Sequence, residues 1–337
     1  MNHASQNLLS VNREKVLTVN VSSLRAFIYL LLMFFSVVRL AKTQDVNACH
    51  ERVLVSVVDH EGGVVSGLGA LAFRAELRGR PLKAVVTTPT SAPRRVVIVV
   101  DFSGSTTGLS KIARALVQNF VASAQPLNLR LALVLFSDHV IKNVDFSRPP
   151  EEVLHELDQL PHTEGPTALF DALNYAVGLF GEPLTGDSIY LISDGGENAS
   201  WARRTDVERE FLAKGIRIYT FCLKTQYFWG AEQTRPGLEV LKGLSDLSGG
   251  EALALDPELD FSKSGQERLG SKLQKLYQQM ADFYELQLDI PSELLRDGQQ
   301  WNLEVVDGKG RKRKDVHVTY PRKLLRCSES REATGLR

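Results

Sequence analysis

The chain has 337 residues, of which 43% are hydrophobic, and 40 lysines and arginines balance 40 aspartates and glutamates. That length allows one large domain plus something smaller, and the apolar content excludes wholesale disorder. The charge balance removes the electrostatic footprint expected of a general nucleic-acid or membrane-surface binder.

The first readable element is apolar. Residues 26–38 (AFIYLLLMFFSVV) carry no charge, Arg13, Lys15 and Arg25 precede them, and Arg39 follows. The run suits a signal-peptide core and is short of the roughly 20 residues that a spanning helix needs. Upstream positive charge keeps the N-terminus cytoplasmic. An uncleaved membrane anchor through residues 26–38 is the alternative, because the leader is long and Arg39 spoils the small-residue cleavage site ending at Ala41. Both readings export everything after about residue 44, to the periplasm, the outer face of the inner membrane or the exterior.

Short strands come next. In residues 52–88, Val53, Val55 and Val57 alternate with Leu54, Ser56 and Val58, and Gly62-Gly63 makes a turn. Residues 89–93 (PTSAP) read as a linker. The unbroken apolar run 96–100 is what a strand buried on both faces of a parallel sheet looks like. Leu109, Ile112, Ala113, Leu116, Val117, Phe120, Val121 and Ala124 then share one helical face. Strands are expected at 129–136, 188–192, 216–223 and 252–255, and helices at 169–180, 206–214, 238–247 and 266–283. This alternation predicts a doubly wound, mostly parallel α/β sheet.

Strands return at the end. Residues 284–290 alternate, and 302–306 and 316–320 flank the turn Asp307-Gly308-Lys309-Gly310. Neither flank has enough strands to stand alone, so the two are expected to combine into one small β-sandwich. The chain therefore divides into an export segment (1–44), an N-terminal β segment (45–93), the α/β domain (94–282), a C-terminal β segment (283–325) and a tail (326–337).

The chemistry gathers where strands end. The first strand of the α/β domain ends in Asp101-Phe102-Ser103-Gly104-Ser105. A carboxylate and two hydroxyls at i, i+2 and i+4 can converge on one point as hard oxygen ligands, suited to Mg²⁺ or Mn²⁺ and not to zinc. Thr167 stands just before a helix, and Asp194 follows the strand at 188–192. In a parallel sheet the three loops share the carboxyl edge, where ligands bind.

The pattern D-x-S-x-S, a loop Thr before A-L-x-D-A-L, and a strand ending S-D-G is similar to the metal-ion-dependent adhesion site of von Willebrand factor type A domains. The resemblance spans about residues 94–282. It implies that Ser103, Ser105 and Thr167 coordinate Mg²⁺ or Mn²⁺ directly, with Asp101 and Asp194 acting directly or through water. It further implies an open position filled by an Asp or Glu of a protein partner, hence binding and not catalysis. The flanks resemble those of exported bacterial proteins that hold such a domain between β segments. Glu197 departs from the pattern by adding negative charge beside the site.

Asp101 and its serines could form only a helix N-cap, but Thr167 and Asp194 then go unexplained. Asp171 lies inside a helix and is not expected to be a ligand. Residues 104–111 (GSTTGLSK) miss the phosphate-loop spacing, and residues 67–72 (GLGALA) lack the helix and acidic residue of a dinucleotide site. A phosphoester hydrolase remains the alternative function, although no nucleophile with a base is evident. A structural envelope protein with a vestigial metal site is a third reading. Arg311-Lys312-Arg313-Lys314 reads as a solvated hairpin tip.

The three cysteines, Cys49, Cys222 and Cys327, have no zinc-ligand spacing. Cys49 and Cys327 bracket the β flanks and can meet in an oxidising compartment, where closing so long a loop contributes on the order of 5 kcal/mol. Cys222, in an apolar strand, is expected to be a buried thiol.

Overall fold

The apolar run at 96–100 offers no polar face to water and must be covered on both sides. In the computed structural model it forms the core of β4 (Arg94–Asp101), and Val96 to Val100 are fully buried. The structure describes residues 48–325 except 88–93, 107, 125, 160–164, 224–233, 257–259, 261, 263–264, 295 and 297. The apolar segment 26–38, the linker 89–93, Cys327 and the tail 326–337 lie outside the described residues.

β4 pairs in parallel with β5 (Leu129–Phe136) on one side and β7 (Ser188–Ser193) on the other. β8 (Arg217–Leu223) and β9 (Ala252–Leu255) continue the parallel run, and β6 (Val140–Val144) adds an antiparallel edge to β5. The order is β6-β5-β4-β7-β8-β9. Winding reverses between β4 and β7, which opens a crevice beyond their carboxyl ends.

Helices cover both faces. Val96, Ile98 and Val100 pack with α1 (Ser110–Ala124), α2 (Pro150–Asp158) and α6 (Gly265–Ala281). Val97 and Val99 pack with α3 (Leu169–Leu179), α4 (Arg204–Lys214) and α5 (Thr234–Ser248). The doubly wound arrangement expected from the sequence is therefore present. Two elements go beyond it, β6 and α2. β6 is an edge strand with only Val144 buried, and α2 buries only Val153 and Leu157, so neither writes a full periodic stripe into the sequence.

The two flanks interleave in one β body. β1 (Ala48–Asp59) pairs antiparallel with β10 (Tyr284–Pro291) and with β13 (Val316–Thr319). β2 (Phe73–Leu77) lies between β3 (Arg80–Thr87) and β12 (Asn302–Val305), and β3 also pairs with β10. The order is β12-β2-β3-β10-β1-β13, with a separate ladder of β11 (Gln299–Gln300) and β14 (Lys323–Leu324). Val53, Val55 and Val57 share a core with Phe73, Leu286 and Trp301.

The form differs from the expected sandwich in one respect. Residues 302–306 and 316–320 do not pair as a hairpin, because β12 and β13 lie at opposite ends of the sheet order. An isolated bridge between Val306 and Lys312, with Arg313 N–H donating to Val305 O at 2.8 Å, draws those ends together. The sheet is thereby nearly closed on itself, which removes exposed edges. At the connecting turn the basic run is paired internally: Arg311 with Asp307, Lys312 with Glu304 and Arg313 with Asp315. That supports the solvated-tip reading.

One buried cation joins the β body to the α/β domain. Arg217, at the start of β8, donates to Ser56 Oγ on β1 at 3.2 Å and to the carbonyls of Gln279 and Met280 at 3.3 and 2.9 Å. Its guanidinium stands 4.4 Å from the centre of the Phe283 ring.

Cys49 is disulfide-bonded and Cys222 is a buried thiol. Thiol counting on denatured, unreduced protein is therefore expected to find one reactive thiol; three would refute the bridge.

Candidate metal centre

The sequence-predicted site residues come from three loops at the carboxyl edge of the sheet. Asp101 ends β4, Ser103 and Ser105 follow it, Thr167 precedes α3, and Asp194 follows β7. Asp101, Ser103 and Thr167 are buried, and Ser105 and Asp194 are partly exposed. The edge is therefore sealed beneath and open above.

Hydrogen bonds brace the loops against one another. Ser103 N–H donates to Asp101 Oδ1 at 2.9 Å, and Ser193 Oγ–H donates to Asp101 Oδ2 at 2.6 Å. The Ser103 and Ser105 hydroxyls lie 3.2 Å apart. Gly104 N–H donates to Gly165 O at 3.0 Å, which ties the first loop to the second. Thr167 N–H donates to Asn198 Oδ1 at 2.7 Å, and Thr167 O accepts from the N–H groups of Asn198 and Ala199 at 3.0 and 3.1 Å. That welds the second loop to the third.

Three oxygens converge beside Gly196. A Cβ placed on that glycine would lie 3.1 Å from Asp194 Oδ1, 3.5 Å from Thr167 Oγ1 and 3.8 Å from Ser105 Oγ. Hydroxyl, hydroxyl and carboxylate thus surround one small space that a methyl group would fill. Ser103 Oγ adjoins it through Ser105. The donor set is all oxygen and mostly neutral, which fits a small hard cation.

Asp194 is held in place by a close backbone contact. Gly195 has φ +81°, and a Cβ there would meet Gly237 O of α5 at 2.2 Å. A Cβ on Gly237 would meet Asp194 O at the same distance. Only a pair of glycines lets the helix press directly on the loop.

The remaining acidic residues have other work. Glu197 accepts from Ala199 N–H, Ser200 N–H and Ser200 Oγ–H at 3.2, 2.9 and 2.7 Å, and from Phe170 N–H at 3.1 Å. Ser200 Oγ accepts from Phe170 and Asp171 N–H. Together they cap α3, whose own N-cap residue Ala168 has no side chain able to do so. Asp171 accepts from Trp201 and Ala202 N–H at 3.0 and 2.7 Å. Sequence reasoning assigned no role to Ser193, Asn198 or Ser200. Ser193 was visible in the S-D-G motif, but nothing in the sequence marked the other two.

Burial, and then the neighbouring Asp194 carboxylate, push the Asp101 pKa up to about 6, against the pull of Ser103 and Ser193.

Residues 96–197 match the family model of the von Willebrand factor type A domain. The chain carries a domain of this type. All five predicted site residues fall inside the matched span. Three solved structures are similar. An aerotolerance-related membrane protein from Bacteroides fragilis is 15% identical, with a TM-score of 0.41, over 54% of this chain and 98% of that one. The conserved hypothetical protein BatB from Bacteroides thetaiotaomicron is also 15% identical, with a TM-score of 0.39, over 55% and 98%. The open form of the pilus adhesin SpaC from Lactobacillus rhamnosus GG is 12% identical, with a TM-score of 0.42, over 81% and 41%. No curated protein matches the chain.

A carboxylic acid with a folded-state pKa near 6 and an unfolded value of 3.8 stabilises the fold when protonated and loses that contribution as pH rises between the two. Without metal, ionised Asp101 then costs on the order of 3 kcal/mol at neutral pH. Asp101→Asn is expected to raise the denaturation midpoint in EDTA at pH 8 and to leave it nearly unchanged at pH 3. An equal midpoint shift at both pH values would refute this.

Proposed function

We propose that the von Willebrand factor type A domain of this chain is a metal-dependent protein-binding module. Asp101, Ser103, Ser105, Thr167 and Asp194 would hold Mg²⁺ or Mn²⁺. When bound, the cation supplies an electrophilic position that accepts the carboxylate of a partner's Asp or Glu. The observation that carries the reading is the convergence of Ser105, Thr167 and Asp194 oxygens on the space beside Gly196.

The side chains divide the work. Ser103, Ser105 and Thr167 contribute neutral oxygens, so Asp101 and Asp194 alone offset the cation's two charges, and with Asp101 acting through water the cation stays electrophilic toward an acidic partner. Asp101 already accepts two protein hydrogen bonds, which suits it to act through water. Glu197 is spent on capping α3, so the charge that departs from the family pattern is engaged away from the open position. Ser103 and Ser105 bond to each other, and Ser193, which bonds to Asp101, is fully buried, an arrangement that favours ligand binding over turnover.

Export is part of the same reading. A disulfide at Cys49 belongs in an oxidising compartment, such as a periplasm or cell surface. Among the described residues no helix is long and apolar enough to cross a membrane; residues 26–38 would serve as a signal-peptide core or, uncleaved, as an anchor. An adhesion or assembly role follows from binding outside the cytoplasm.

Metal that binds only the native state stabilises it by about 2.7 kcal/mol at a hundredfold excess over Kd. Mg²⁺ is expected to raise the melting temperature of the wild type and not that of Asp101→Ala. Gly196→Ala, which fills the space without forcing the backbone, is expected to fold and to lose most of the Mg²⁺ response. Equal Mg²⁺ shifts in all three proteins would remove the metal centre from this site.

A further inference from the structure

Trp201 is 94% exposed, yet its backbone is fixed. Its N–H donates to Asp171 at 3.0 Å, and the preceding residue, Ser200, is held by Glu197 and α3. The loop that presents it is the one welded to Thr167 and begun by Asp194. An indole left in water on a rigid loop gains nothing for the fold, since apolar surface stabilises only when it is buried. Tyr175, another of the few large exposed hydrophobic residues, lies four positions after Asp171 on α3. Residues so spaced share one helix face. Both residues are thus linked to Asp171, Trp201 through its backbone N–H and Tyr175 by one turn of α3.

We propose that Trp201 is the second contact of the binding surface and selects the residue that neighbours the captured acid. This rests on the metal-capture reading above. The occupant is a partner segment carrying an Asp or Glu with an aromatic or branched aliphatic side chain two to four positions away. The spacing follows from the loop. Ala199 N–H sits 3.1 Å from Thr167 O, and Trp201 is two residues beyond. Two residues reach at most about 7 Å, so the Trp201 backbone lies within about 10 Å of the Thr167 carbonyl, a separation that two to four extended partner residues, at roughly 7–13 Å, can span. A divalent cation calls for the acid, and Arg203, two positions after Trp201, is paired with Asp206, so the surface beside the indole asks for no charged neighbour. Exposed Trp and Tyr on a rigid support are the side chains that most often carry binding energy.

The test uses a random peptide library displayed on phage, panned on the full chain in Mg²⁺ and eluted with EDTA. Wild type, Trp201→Ala and Trp201→Phe are compared. Each is first checked for the same Mg²⁺-induced rise in melting temperature, which Trp201 does not supply. The expected wild-type pool is rich in Asp or Glu with an apolar residue two to four positions away. The Trp201→Ala pool should keep the acid and lose the apolar preference, and Trp201→Phe should restore it. A peptide chosen by the wild type should bind Trp201→Ala roughly tenfold more weakly or worse. An acid-rich pool without the apolar neighbour, or the same neighbour in both pools, would overturn the Trp201 proposal and leave metal capture standing. A pool with no acid, or one that EDTA does not release, would bring down metal capture and this proposal with it.

Discussion

Asp101 is a carboxylate buried at the end of the central strand, with a second carboxylate beside it, and the rest of the site is arranged around that charge. Burial and Asp194 both disfavour its ionised form. Two donors, Ser103 N–H and Ser193 Oγ–H, offset part of the cost. They are neutral, so they cannot cancel the charge of the pair. An ion with two positive charges would, and Asp194, Thr167 and Ser105 bring a carboxylate and two hydroxyl oxygens together beside Gly196. The fold thus tolerates an unfavourable charge at a position where a ligand would relieve it.

Holding that charge demands stiff loops, and the stiffness comes from backbone contacts more than from side-chain packing. The strand order places the ends of β4 and β7 side by side, so Asp101 and the loop of Asp194 start as neighbours. Gly195 and Gly237 let α5 press on the Asp194 loop at a distance that no other residue pair permits. Glu197, Ser200 and Asp171 then lock the far end of the loop to α3. The extra acidic residue that looked like a perturbation in the sequence turns out to be part of the scaffold.

Which parts were legible in the sequence follows from which forces write a local pattern. Strands buried on both faces, such as 96–100 and 188–192, and helices with a full apolar stripe, such as α1, are spelled out residue by residue. So are the hard-oxygen side chains at strand ends, because chemistry at i, i+2 and i+4 needs those residues in that order. β6 and α2 bury too little to leave a stripe. Long-range pairing leaves no local mark at all. The turn at residues 307–310 reads as a hairpin, yet its strands join β1 and β2, far away in sequence. The bond from Asn198 to Thr167 and the cap from Ser200 to α3 are equally silent, since they depend on two loops meeting in space.

The β body bears on the site through where it attaches. Arg217 lies at the beginning of β8, and Arg94, at the beginning of β4, stands 4.8 Å over the same Phe283 ring that Arg217 stacks on. The joint is therefore at the amino edge of the parallel strands. The candidate metal centre is at their carboxyl edge. The described chain enters at β1 and leaves just beyond β14, both on the β-body side of that joint. Fusing both flanks into one sheet gives the α/β domain a single base at its amino edge, so the sequence segments on either side of the domain meet on the side opposite the three loops of Asp101, Thr167 and Asp194.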